Sequence, residues 1–250
     1  MSTEYTNLEV DVYWSMHCPY AYIALNRCLE MQMKYHLNLN LHVAYPNVVT
    51  DPDAIHAMEM LKYRIPYQDI DSYRNAHFHR SPMRAPDPDI IVRKANKDGK
   101  DVIAPLEEQI YAQFLVRTAI AANEIGKGWE YLNEVMRMVF NGQKKPWAKP
   151  DDFSHVINAI NGAGIDADKL VATVEANPKK YDDIAIANAA KQRTNDSRHM
   201  GIPNFVFGGE PFFGQDRIAH LIWRMELHGL TERADYEPSA RARNNPDFWA

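Results

Sequence analysis

Cys18 and Cys28 are the only cysteines in the chain, and they stand in different settings. Cys18 lies in YWSMHCPYAYIAL, residues 13–25, directly before Pro19 and between a strand-like apolar run and a helix-like one. A thiol at such a turn meets unpaired helix N–H groups and the positive end of the helix dipole, which favour a thiolate and lower its pKa from about 8.5. That setting suits a nucleophile or a ligand-binding group; the other reading is a small buried hydrophobe, the usual role of a lone cysteine. His17 beside it adds positive charge when protonated, provided its ring points the same way. Position 21 is alanine, so no second thiol can release a mixed disulfide by intramolecular attack, and dithiol exchange is not expected. Cys28 cannot bridge to Cys18: ten residues on one helix is roughly 15 Å, against a limit of ~7 Å between bridged Cα atoms.

Other residues carry weaker chemical signals. Pro203, in GIPNFVF (201–207), opens a strand, a common place for proline at a sheet edge. Asp216 and Arg217 read either as the acidic first turn of a closing helix beside a solvated charge, or as a pair of ligand-binding charges. His77 and His79 in NAHFHR have a spacing that can hold a metal, but no Cys or carboxylate cluster stands nearby, so a solvated or core-lining role is expected and no metal site is assigned. Tyr20 and Tyr22 flank Cys18 and suit an aromatic pocket, while helix packing explains Tyr22 as well. The methionines of AIHAMEMLKY read as core.

The elements that position these groups follow from periodicity. LEVDVYW (8–14) and LNLNLHVAY (37–45) alternate apolar and polar residues as strands do. Between them, Pro19 suits the first helical position and Ile23, Leu25, Leu29 and Met33 fit a helix to about Tyr35. This predicts a parallel βαβ unit with a right-handed crossover. The middle reads as helical: from Leu106 to a C-cap at Gly126, from Trp129 to before Asn141-Gly142, from Asp151, from Asp166, and from an Asn177 N-cap with Pro178 at N1. Residues 80–104, rich in Pro and charge, read as a long connection. PNFVFGGEPFFG (203–214) predicts a hairpin about Gly208-Gly209, followed by a helix with Ile218, Leu221, Ile222 and Met225 inward. The tail 231–250 is polar up to Phe248-Trp249, which pack either on this chain or on a partner subunit.

Composition narrows the function classes. The chain has 250 residues, 46% hydrophobic and 24% charged, with a formal net charge of −5. This is an ordinary globular composition, and it provides no field to attract nucleic acid or an anionic membrane surface. No stretch approaches ~18 uninterrupted apolar residues, and the start has no basic segment followed by an apolar one. A cytoplasmic protein that meets small molecules or other proteins is therefore expected.

Three motifs in this layout carry a family resemblance over roughly residues 8–228. CPYA (18–21) resembles the C-P-x-C site of DsbA-type disulfide oxidoreductases without its second cysteine. It also resembles the S-P-[YF]-S segment of 2-hydroxychromene-2-carboxylate isomerases and kappa-class glutathione transferases, with Cys18 in the place of the serine. GIPNFVF is similar to the loop that carries the cis-proline in these families, and GQDRI (214–218) to the G-x-D-R-[LI] turn of the isomerase and kappa groups. The resemblance implies an α/β thioredoxin-like fold with a mixed sheet and an inserted all-helical domain. Its boundaries would be 1–50 and 198–232 for the thioredoxin-like domain, 51–197 for the insertion and 233–250 for the tail.

The resemblance also implies roles. Cys18 would be catalytic, and the bond before Pro203 cis, turning the Ile202 backbone toward Cys18 to pair with glutathione. Asp216 would take glutathione's glutamyl amino group and Arg217 a carboxylate. The implied function is a glutathione-dependent isomerase or transferase acting on an aromatic or conjugated small molecule, as a monomer or a homodimer. A monothiol oxidoreductase handling glutathione mixed disulfides and a non-catalytic peptide-binding module are the alternatives.

Overall fold

The computed structural model describes residues 7–50, 61–143, 145–193 and 201–249. Its first unit is β1 (Leu8–Trp14), α1 (Pro19–Lys34) and β2 (Leu37–Val43), with β2 parallel to β1. In β2 the alternation is a burial pattern, with Leu37, Leu39, Leu41 and Val43 buried while Asn38 and Asn40 are exposed; in β1 it holds up to Val12, after which Tyr13 and Trp14 are both buried. Pro19 opens α1, and that helix buries Ile23, Leu25, Cys28 and Met31. β2 ends at Val43, two residues before the expected end at Tyr45, because the chain turns at Pro46 into the short α2 (Asn47–Thr50).

β5 (Asn204–Phe207) and β6 (Glu210–Phe213) complete a four-stranded sheet in the order β2-β1-β5-β6. β5 runs antiparallel to β1, with Val12 opposite Phe205, and β6 antiparallel to β5. The hairpin turns at Gly208 and Gly209, both at positive φ (58° and 79°), a backbone that glycine adopts without strain. The helix that follows β6, Ile218–Glu226, buries Ile218, Leu221, Ile222 and Met225 as their spacing predicts.

Between β2 and β5 the described residues are mainly helical: α3 (Leu61–Phe78), α4 (Ile110–Glu124), α5 (Gly128–Phe140), α6 (Ser154–Gly162), α7 (Ala167–Ala176) and α8 (Pro178–Lys191). In this numbering the helix after β6 is α9, and a short α10 (Ala240–Arg243) lies in the tail. Asp166 and Asn177 cap α7 and α8, accepting from the N–H groups of Lys169 and Lys180. α6 starts at Ser154 instead of Asp151, since Asp152 takes the Ser154 N–H at 2.9 Å. α4 starts at Ile110, after a 3-10 turn over Leu106–Glu108. The cause is Gln109, whose buried side chain bonds the backbone of Val92 and Ala104 and holds the loop there. α4 packs against α5, α7 and α8.

Residues 80–104 are more ordered than a connection. They hold a small antiparallel hairpin, β3 (Arg93–Ala95) with β4 (Asp101–Ile103), turned by Asn96, whose side chain accepts from the N–H groups of Asp98 and Lys100. The tail packs on its own chain. Phe248 is buried, and Trp249 meets the Tyr35 ring edge-on at 6.4 Å. Glu30, buried on α1, accepts from the Tyr236 hydroxyl at 2.6 Å and from the Ser239 N–H at 2.9 Å. The methionines Met58 and Met60, expected in the core, lie outside the described residues.

Candidate active site

β1 ends at Trp14, and a short turn, closed by the Cys18 N–H on the Ser15 carbonyl at 3.2 Å, delivers Cys18 to the N-cap of α1. The Cys18 side chain does not cap the helix. It donates to the backbone carbonyl of Ile202 at 3.2 Å, across 184 residues of sequence. The Ile202-Pro203 bond is cis. Cys18 is half-buried, in contrast to Cys28, whose thiol is fully buried and pushed up to about 12 by desolvation, with Arg27 opposing. Cys28 is a packing residue.

Beside Ile202 opens a cleft of about 530 Å³. One wall is Ile202 with the loop Phe213–Arg217, and the other is Tyr20 with Tyr67, Gln68, Asp71 and Asn75 of α3. Ile202, Asp216 and Arg217 thus share one cleft, and Cys18 reaches it through the Ile202 carbonyl. Asp216 and Arg217 are exposed, and their charged groups lie 3.5 Å apart, a solvent-screened pairing that a ligand can replace. Gly214 is required at this loop: its φ is +105°, and a Cβ there would meet the Asp216 carboxylate at 2.5 Å. The Gly214 N–H closes the loop onto the Pro203 carbonyl at 2.9 Å.

His17 turns to the 80–104 segment, its Nε2 lying 3.5 Å from the Asp89 carboxylate. Burial raises the Asp89 carboxyl, but His17 and the Ile91 N–H outweigh it and hold the group below its ordinary value. Asp89 and its loop carry no motif, and only the fold brings them to His17. The same segment receives the Tyr22 hydroxyl on the Pro82 carbonyl at 2.7 Å, so Tyr22 is a packing residue. His77 is exposed and His79 buried. Burial, then the nearby Arg27 charge, lowers the His79 pKa to about 4. Among the described residues no three His, Cys, Asp or Glu side chains gather as metal ligands would.

Sequence reasoning does not reach the polar chain under the cleft. Tyr20 donates to Asp71 Oδ2 at 2.7 Å, and Tyr67 to Asp71 Oδ1 at 3.2 Å. Asn75 donates to the same carboxylate at 2.9 Å, Gln215 donates to Asn75 at 2.9 Å, and Arg27, buried in α1, donates to Gln215. The local signals are two i,i+4 pairings on α3, Tyr67 with Asp71 and Asp71 with Asn75.

No family model and no curated protein matches this chain. Solved structures do. The fold is similar to that of a 2-hydroxychromene-2-carboxylate isomerase, with a TM-score of 0.61 and 20% identity over 88% of this chain and 96% of that one. It is similar to a probable DsbA oxidoreductase from Streptomyces coelicolor, with a TM-score of 0.56 and 15% identity over 93% and 94%. It is also similar to the cytosolic disulfide reductase DsbM from Pseudomonas aeruginosa, a structure with GSH, with a TM-score of 0.52 and 14% identity over 88% and 100%. At these identities the likeness speaks for architecture: an α/β, DsbA-like thioredoxin fold with a mixed sheet.

Proposed function

We propose that this protein is a glutathione-dependent isomerase or transferase acting on an aromatic or conjugated small molecule. The observation that carries the reading is the shared cleft: Ile202, Asp216 and Arg217 line it together, and the Cys18 thiol sits on the Ile202 carbonyl. Glutathione would lie with its glutamyl end on the Asp216-Arg217 pair, its backbone along Ile202 and its sulfur toward Cys18. Cys18, at the positive end of α1, would hold that sulfur as a thiolate while it adds to an unsaturated carbon of the substrate and later leaves. The α3 wall then borders the second substrate. The domain boundaries implied by the resemblance fit this division of labour, with the thioredoxin-like part holding glutathione and the helical insertion supplying the second wall.

Calorimetric titration with reduced glutathione tests the assignment. Asp216→Ala and Arg217→Ala each remove one partner of a charge-assisted hydrogen bond and should weaken binding about ten- to hundredfold, as a loss of roughly 1.5–3 kcal/mol. Wild-type affinity in both variants would refute it. A second reading, a monothiol oxidoreductase, is favoured by the chemistry of Cys18, since a thiol can form a mixed disulfide where a serine cannot. Incubation with oxidised glutathione followed by intact mass separates the two: a stable adduct on Cys18 supports the redox reading, and its absence the isomerase or transferase.

A further inference from the structure

The chain Arg27, Gln215, Asn75, Asp71, Tyr20 has a direction. A guanidinium can only donate and a carboxylate can only accept, so the two amides between them have one consistent orientation. Gln215 accepts from Arg27 and so donates to Asn75; Asn75 accepts there and so donates to Asp71. Asp71 Oδ2, an acceptor at the end of the chain, accepts a hydrogen bond from the Tyr20 hydroxyl at 2.7 Å. Arg27, at 1% exposure, and Gln215, at 4%, anchor the chain in the core, where water cannot reverse it. Tyr20 keeps its proton: burial, then Asp71, then the neighbouring Cys18, raise its pKa well above the ordinary tyrosine value.

We propose that Tyr20 is a ligand-binding residue of the cleft that acts as a hydrogen-bond acceptor, that the Asp71 carboxylate sets this polarity, and that Asn75, Gln215 and Arg27 are positioning residues that hold the carboxylate in place. With its proton committed to Asp71, the Tyr20 oxygen offers the cleft only lone pairs. It selects a hydrogen-bond donor on the ligand and does not stabilise a thiolate or other anion, which leaves that task to Cys18. The donor is an N–H or S–H of glutathione or a hydroxyl of the second substrate. The inference rests on the cleft being the ligand site proposed above.

Two arms separate those sources. The first measures wild type, Tyr20→Phe and Asp71→Leu against a matched probe pair, 2-naphthol and 2-methoxynaphthalene, by ligand-observed NMR without glutathione. The second titrates the same proteins with reduced glutathione. One hydrogen bond predicts a roughly three- to tenfold effect. Wild type preferring naphthol by that factor, with the preference gone in both variants, supports the proposal with the second substrate as donor. An unchanged probe ratio with three- to tenfold weaker glutathione binding in both variants supports it with glutathione as donor. No change in either arm on Tyr20→Phe overturns it, as does an Asp71→Leu protein, folded by its melting curve, that behaves as wild type. Because the first arm contains no glutathione, its result is independent of whether glutathione is the ligand.

Discussion

Backbone carbonyls at two places in the sheet layer are satisfied by very different partners. Along the outer edge of β2, the carbonyls of Leu39, Leu41 and Val43 accept from Trp129 Nε1 at 3.0 Å, Asn123 at 3.1 Å and Asn188 at 2.8 Å. At the other place, before Pro203, the Ile202 carbonyl takes a thiol, a weak donor. The first set comes from α4, α5 and α8 and closes the edge to any further strand. The second is a contact that an incoming amide N–H can displace at little cost. Strong internal partners mark a closed boundary; a weak one leaves a carbonyl that can change partner.

The contrast has measurable sides. The largest effect should come from breaking the closed edge. Trp129→Ala removes both the bond to Leu39 and the edge-on contact with Trp14 at 5.5 Å, and should lower the unfolding free energy in urea by about 3 kcal/mol. Glutathione affinity of the folded fraction should not change; a large change would erase the distinction between the two regions.

The next effect concerns the core under the cleft, where His79 lies against Arg27 and Gln215. Its folded pKa, about 4, lies below the ordinary 6.5, so the unfolded chain takes up the proton first as pH falls. Stability should therefore drop between pH 6.5 and 4, by on the order of 2–3 kcal/mol, and be fully present above that window. His79→Gln should flatten this part of the pH profile, and an unchanged profile would remove His79 as the cause.

Cys18 should show the opposite balance. Cys18→Ser should keep most glutathione-dependent turnover if the thiol only positions the ligand's sulfur, while Cys18→Ala should lose about tenfold, the worth of one hydrogen bond. Equal inactivity of both would favour covalent or redox chemistry, because serine is a weak nucleophile without an activating base. The smallest effect sharpens the comparison: Cys18→Ala should change unfolding free energy by less than about 1 kcal/mol. A cost like that of Trp129→Ala would make the thiol a structural partner after all.

Legibility in the sequence follows the range of the interactions. β1, β2, the Pro19 start of α1 and the caps Asp166 and Asn177 are local patterns, and they appear as the periodicity predicts. The β3–β4 hairpin is not visible because its strand residues are largely solvent-facing, so burial imposes no alternation on Arg93–Ala95 or Asp101–Ile103. At the site, Cys18, Pro203 and the Asp216-Arg217 pair sit in recognisable turns. Asp89 and the chain from Tyr20 to Arg27 do not, since their partners come from segments 51 to 188 residues apart whose juxtaposition only the fold supplies.

The clasp of the tail on α1 bears on how the protein is made. Glu30 is 2% exposed, and its two donors, Tyr236 and Ser239, follow more than 200 residues later. During synthesis α1, which Cys18 caps, leaves the ribosome well ahead of the tail, and its buried carboxylate has neither donor until more than 200 further residues have emerged. Until then Glu30 must stay hydrated, which opposes docking of that face and delays closure of the structure around Cys18. A nascent chain arrested before Tyr236 should accordingly leave the Glu30 face of α1 open to proteases and chaperones, and release of the tail should close it.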